Sequence, residues 1–464
     1  MDFLRRQFFI FSFIFFVFSC SDEDYLPQHY LVSDLNLKEY SFSDEAEMNE
    51  LRSIIFDELA RNITSEHYLL IQNLPSLAVT AGSKNADEIA LDQYNWSADN
   101  YSFQVVWEDM YKAISHLNSI IESLDYKSVK QYAFARQLYL EACYLRAFYY
   151  FELAVMYGNV PVLNEKINSK SDFENVNVVS VDNQDYLWET IFSDLNHALE
   201  LKEGSVSAST TQYKVSGHWA VKALLGKVYL YRSSKGIADE WQLAFKQFND
   251  IINSGKFILE KNYANLFEEN LAVGVEAIVK TSYYLELTKK SDLGAVFVIP
   301  SNEFISMLGD VDSRKSAVLS YDQGKWYYKK YNPLISSTSN SLIYVSRLAD
   351  VWLMQSECLN HISSQDRSRL TGINLVRERS GQSPLEKNTL TSTEFVELLQ
   401  IEKEKEFVLE ARSLFDYRRW GADFIQKQFP ELTISEKHLL FPIPETVLQD
   451  EFFSKWNLKQ NKGY

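Results

Sequence analysis

Apolar residues recur at helical spacing through most of the chain, most densely in 138–163, LYLEACYLRAFYYFELAVMYGNVPVL. Ala142, Leu145, Tyr149, Leu153 and Met156 fall on one face, and Cys143, Ala147, Tyr150 and Ala154 on a neighbouring stripe. A helix apolar over that much of its girth is predicted to be packed on several sides. Gly158 stands where a left-handed C-terminal residue belongs, and Pro161 cannot continue the helix. The same period predicts helices over 44–72, closed by Asn73 to Pro75, and over 103–124, 185–201, 216–233 and 240–253. From 257 to 345 the pattern changes to short β-prone runs, such as Glu276 to Thr281 and Trp326 to Tyr331, between polar loops. Helical periodicity returns at 346–360, 368–380 and 393–412, and the tail from 430 is irregular. Paired amphipathic helices joined by short turns predict an all-α, tetratricopeptide-like helical-repeat scaffold with loop-rich insertions and a few short strands. The repeat is degenerate, without a strict period. No Gly/Ser-rich linker divides residues 44–464, so they are read as one domain.

The N-terminus has a different pattern. Arg5 and Arg6 precede an apolar run from Phe8 to Phe18 that is too short for a spanning helix, which needs roughly 20 residues. A basic start and a short apolar stretch form an export signal, assigned to residues 1–19. Val17-Phe18-Ser19-Cys20 resembles the lipobox of bacterial lipoproteins, in which the cysteine is acylated and becomes the new N-terminus. That resemblance implies lipidation at Cys20, with Val17 where such boxes usually carry Leu; an ordinary cleaved signal is the other reading. Residues 20–43 then read as acylated cysteine and linker, and Ser21-Asp22-Glu23-Asp24 resembles the acidic tag of surface-exported lipoproteins. The chain is therefore expected to be anchored to the membrane, not to span it. Cys143 and Cys358 fall in apolar helices and read as buried thiols, with a disulfide between them the alternative.

Several ordered segments carry a resemblance. The run Ala142-x-x-Leu145-Arg146-Ala147-x-x-Tyr150-Phe151-x-Leu153, with Tyr157-Gly158-x-Val160-Pro161, is one. Trp107-x-x-x-Tyr111-x-x-Ile114-x-x-x-Asn118 precedes it. Ile251-Ile252-Asn253-Ser254-Gly255-Lys256-Phe257, then Tyr263, Leu266 and Phe267, and Glu276 to Val279 follow. Further on come Arg347-Leu348-Ala349-Asp350 with Leu353, Met354 and Glu357, then Asn374-x-Val376-Arg377-x-Arg379-x-Gly381. Glu402 to Phe407 leads into Glu410-Ala411-Arg412-Ser413-Leu414-Phe415-Asp416-Tyr417-Arg418-Arg419-Trp420-Gly421, and Phe441-Pro442-Ile443-Pro444 and Gln460 to Tyr464 close the chain. Taken in register from about residue 100 onward, these segments resemble the SusD/RagB family of outer-membrane nutrient-uptake lipoproteins. The departures are Ala411 where Gly is usual, Leu348 for Tyr and Lys462 for Pro. The resemblance implies a cell-surface, lipid-anchored outer-membrane protein that captures a nutrient for a SusC-type TonB-dependent transporter, on which family members sit like a lid.

Net charge is −17 over 464 residues, which argues against nucleic acid as a partner. Glu402, Glu406 and Glu410 are four apart with Arg412, Arg418 and Arg419 behind, a pattern read as structural pairing that ties the final helices together, as are Arg347, Asp350 and Glu357. Asp310, Asp312 and Arg314 resemble a family turn and read as structural. No His-Glu-x-x-His, Gly-x-Ser-x-Gly, phosphate loop or dinucleotide fingerprint is present, and the seven His are scattered. The expectation is a binder with no catalytic residue, metal or cofactor, although two carboxylates at glycosidase separation cannot be read from sequence.

Aromatics reach 14% of the chain, and flat rings beside amides and carboxylates suit sugars. Two regions become candidate ligand sites. The first holds Tyr94, Trp96, Asn100 and Tyr101, near where the family's glycan contacts often fall; Trp96 is also readable as a packing residue. The second, 321–331, holds Tyr321, Trp326, Tyr327, Tyr328 and Tyr331, where strand alternation must turn some rings inward. The expected ligand is an oligosaccharide. The alternatives are a peptide, served by part of the same family, and a helical-repeat scaffold or adhesin with a protein partner.

Overall fold

The structure, a computed structural model, describes residues 40–464 except 125, 202–212, 216, 268–274, 284–297, 331–340 and 387–389, together with Leu35 and Leu37. Residues 1–34, and with them Cys20 and the export signal, lie outside the described residues, as does Tyr331.

Helices dominate, and they form where the apolar period placed them. The densest stretch becomes Ala133–Tyr157, buried almost continuously from Leu138. It stops at Gly158, whose φ of +79° is easy only for glycine, and a Cβ there would stand 2.9 Å from the Leu440 side chain. The Tyr101–Ser123 and Gln184–Glu200 helices pack on its flanks. A second series stacks His218–Ser234 on Trp241–Asn253, then Leu348–Ile362, then Arg369–Arg379. Gly372 lets the last two approach, since a Cβ there would collide with the Trp352 carbonyl. This is the helical-repeat scaffold expected from the pattern.

Two predicted helices differ at their ends. The 44–72 segment is two helices, Glu45–Thr64 and Glu66–Asn73, because the Ser65 side chain caps a new start by accepting from the Tyr68 N–H. The 393–412 segment stops at Phe407. Leu409 and Ala411 then take φ of +61° and +55°, which turns the chain back before the Ser413–Trp420 helix. A left-handed residue at 411 explains why glycine suits that position and why alanine there carries strain.

The strands are short. β1 (Val79–Ala81) pairs antiparallel with β4 (Val298–Pro300). β2 (Tyr213–Val215), β3 (Ala277–Tyr283) and β7 (Ser341–Arg347) form an antiparallel sheet with irregular register near Val279. β5 (Leu319–Asp322) and β6 (Lys325–Tyr328) make a hairpin.

Buried ion pairs join distant segments. Arg52 grips Glu141 through two 2.6 Å hydrogen bonds, and Arg146 grips Asp194 at 2.6 and 2.8 Å. Glu402, Glu406 and Glu410 are paired, but not with the arginines just behind them. Glu402 meets Arg314 at 2.7 Å and Arg377 at 3.2 Å. Glu406 meets Arg314, Arg347 and Arg379, and Glu410 meets Lys330 and Arg347 at 2.7 and 2.9 Å. Arg419 instead pairs with Glu357 and Asp416, Arg412 donates to the Val345 carbonyl, and Arg418 to Val155. The structural reading holds with exchanged partners, because the reversal at 408–412 carries the arginines away from the ridge. Asp312 locks Arg314 in place at 2.8 and 2.9 Å, a structural turn as expected. Cys143 and Cys358 are separate buried thiols.

Candidate functional site

The first candidate region is built into the core. After the short Ala86–Asp92 helix, Tyr94 takes φ of +53° and turns inward, and its hydroxyl donates to the Pro75 carbonyl at 2.9 Å. Trp96 is 5% exposed. Its indole N–H donates to the Tyr464 hydroxyl at 2.6 Å, and its ring meets Phe441 and His438 edge-on at 5.4 and 5.6 Å. The C-terminal tail covers it, so neither face is open for stacking. Asn100 is buried as the N-cap of the Tyr101–Ser123 helix, accepting from the Ser102 N–H at 3.0 Å. Tyr101 alone of these faces outward, at 59% exposure, its ring edge-on to His67 at 5.3 Å. The packing role therefore replaces the ligand role expected for Tyr94, Trp96 and Asn100.

The second region splits along its own length. Gln323 and Gly324 have φ of +47° and +82°, the left-handed pair that a two-residue hairpin turn needs. The register sets Tyr321 opposite Trp326 and Leu319 opposite Tyr328 on the same face. At the base, Leu319 and Tyr328 are buried, and the Tyr328 hydroxyl donates to the Ala78 carbonyl beside β1. Tyr328 is thus an anchor, not the open ring expected of it. At the tip the same face leaves the body: Tyr321 is 61% exposed and Trp326 half-buried, their rings 5.0 Å apart and tilted by 54°. Lys315 lies 5.8 Å from the Trp326 ring and bonds the exposed Asp310 carboxylate at 3.0 Å. Rings, an ammonium and a carboxylate thus meet on one accessible surface. Lys315 was not foreseen, because only the hairpin's placement brings it to Trp326.

Among the described residues, no group of three or more His, Cys, Asp or Glu has the geometry of a metal site, and no helix is long and apolar enough to cross a membrane.

Comparison with known proteins agrees with this architecture. A family model described as starch-binding and associating with the outer membrane matches residues 30–230, and the SusD family model matches 324–430. The chain belongs to the SusD/RagB family. A SusD-like protein of Formosa agariphila is 23% identical over 424 residues, covering 76% of this chain and 78% of that protein. Among solved structures, a SusD homolog from Bacteroides thetaiotaomicron superposes with a TM-score of 0.76 at 20% identity, covering 93% of this chain and 99% of that one. A laminarin-binding SusD-like protein gives 0.72 at 21% identity, covering 91% and 100%. The SusD-like scaffold is thus retained where four residues in five differ.

Proposed function

We propose that this chain is a surface-exposed outer-membrane lipoprotein, anchored through Cys20, that binds an oligosaccharide on the Tyr321–Trp326 hairpin tip and delivers it to a SusC-type TonB-dependent transporter. The observation that carries the binding site is the pair of accessible rings 5.0 Å apart with Lys315 and Asp310 beside them. Sugar rings stack their C–H faces on such surfaces, while charged and amide groups take the hydroxyls. Tyr101 is a second open ring that a longer chain could use. The glycan reading draws support from the laminarin-binding structural relative and from the starch-binding description of the matching family model. Anchoring and delivery rest on family membership and on the lipobox-like Ser19-Cys20.

Calorimetry of protein lacking residues 1–20 against laminarin and starch oligosaccharides and a peptide panel tests the site. Saturable glycan binding is expected, weakened about tenfold or more by Trp326→Ala or Tyr321→Ala, with thermal stability changed little by Tyr321→Ala because that ring is exposed. Glycan binding untouched by both substitutions would remove the hairpin from the site. Binding of peptides alone would replace the ligand class.

A further inference from the structure

A cleft of about 250 Å³ lies between the Ser392–Phe407 and Ala422–Gln428 helices and Met307. Leu77, Met307, Ile401, Tyr417 and Phe424 supply its apolar and aromatic walls, with Gln400 and Gln428 between them. At its mouth Glu397 and Lys427 are paired with each other. Glu404 also lines it, though only 5% of the residue is exposed. Its Oε2 is buried without a hydrogen-bond partner, and among the described residues no ion pair reaches it. This is the unusual feature, because Glu402 and Glu406 on the other side of the same helix each meet at least two arginines.

A carboxyl shut away from water normally has a cation or donors on both oxygens. Here the Ser413 and Tyr417 hydroxyls favour the charged form, against the burial that opposes it. The Tyr417 hydroxyl in turn accepts from the Leu77 N–H at 3.1 Å, which fixes it. The Lys403 ammonium, which also favours the charged form, is committed to Asp416 at 2.8 and 2.9 Å. The Tyr94 and Tyr328 hydroxyls also face Glu404 electrostatically. The lining therefore holds one unmatched acid, two aromatic rings and amides, and the cation among them, Lys427, is already taken by Glu397.

We propose that this cleft is a second binding site, separate from the glycan platform, for a small molecule carrying a primary ammonium. The ammonium ion-pairs with Glu404 between the Tyr417 and Phe424 rings, and the rest of the ligand lies against Met307 and Ile401. Burial pushes the Glu404 carboxyl up to about 7, so an arriving ammonium displaces a proton near neutral pH.

The test compares glucosamine and n-butylamine with the neutral glucose and 1-butanol, by calorimetry at about pH 7 in buffers of different ionisation heat. At least one amine is expected to bind with proton release, and its neutral counterpart about tenfold or more weaker. Glu404→Gln should abolish the difference, and Met307→Trp, which fills the cleft without touching the carboxyl, should block binding if the Gln variant misfolds. Glucosamine binding without butylamine binding would identify an amino sugar, and the reverse a simple alkyl ammonium. Equal binding of the neutral partners, or silence from both amines, would overturn the proposal while leaving the hairpin site untouched.

Discussion

One helix, Ser392–Phe407, carries two carboxylate faces with opposite electrostatic fates. Glu402 and Glu406 face Arg314, Arg347, Arg377 and Arg379. Burial alone would raise the Glu406 carboxyl, but Arg379, Arg347 and Arg314 hold it down to about 2. Glu404 is two residues from both, hence on the far side, and belongs to the stripe Glu397, Gln400, Ile401 and Glu404 that lines the cleft. Burial raises it to about 7, opposed by the Ser413 and Tyr417 hydroxyls. Identical chemistry at similar depth thus gives an anion on one face and a half-protonated acid on the other. The difference lies in whether a guanidinium was folded in alongside. Matched charges tie segments together, whereas an unmatched one is a site waiting for a partner.

The matched face should be the more sensitive. Arg347 is fully buried and is shared by Glu276, Glu406 and Glu410. Arg347→Ala would leave these acids short of a cation and is expected to cost about 3–5 kcal/mol in urea unfolding, if the variant accumulates at all. An unchanged midpoint would mean that the network contributes nothing.

Acid should act next. The folded Glu406 titrates near 2 against an ordinary 4.5, so its contribution is whole above 4.5 and drains as pH falls toward 2. Glu357, held at about 2 by Arg419 against its own burial, behaves alike. Unfolding free energy should therefore drop steeply below about pH 4, and Glu406→Gln should flatten that limb by an amount on the order of 3 kcal/mol. A limb of unchanged slope would place the acid sensitivity elsewhere.

Glu404 gives the smallest effect and the opposite sign. Its folded value lies above the ordinary 4.5, so the folded state retains a proton the unfolded chain has lost, and stability falls as pH rises from 4.5 through about 7. Glu404→Gln should match the parent within about 0.5 kcal/mol near pH 4, where the carboxyl is mostly neutral in both folded and unfolded states, and exceed it by roughly 1–3 kcal/mol at about pH 8. Parallel stability curves for the two proteins would show that the carboxyl is not held neutral.

Much of this was legible beforehand, and the gaps have physical causes. The helices stood out because a period of 3.6 residues is a local property, readable within a single turn or two. Gly158 marked a true stop, whereas Ala411 falls inside the helical period read over 393–412 and only the structure puts a left-handed turn there. The spacing of Glu402, Glu406 and Glu410 announced pairing but named the wrong arginines, since nearness in sequence says nothing once the chain reverses at 408–412. The stripe of Glu397, Gln400, Ile401 and Glu404 lies on one helical face too, but nothing in the sequence sets it apart from the longer acidic run.

The aromatic candidates show the same boundary. Tyr94, Trp96 and Asn100 have the composition of a sugar site, yet they are core and cap: Phe441 and Tyr464 close over Trp96, Tyr94 packs on Phe429 and His438, and Asn100 caps a helix. Tyr321 and Trp326 share a face with Leu319 and Tyr328 and stay open only because the hairpin tip extends past the body that buries its base. Periodicity, turn residues and ordered motifs were therefore enough for the all-helical class, most element positions and the family, since each depends on neighbours along the chain. Which ring keeps an open face, and which acid finds a cation, was settled by contacts between segments as many as several hundred residues apart. No local pattern encodes those contacts, because burial and charge pairing are properties of the packed chain as a whole.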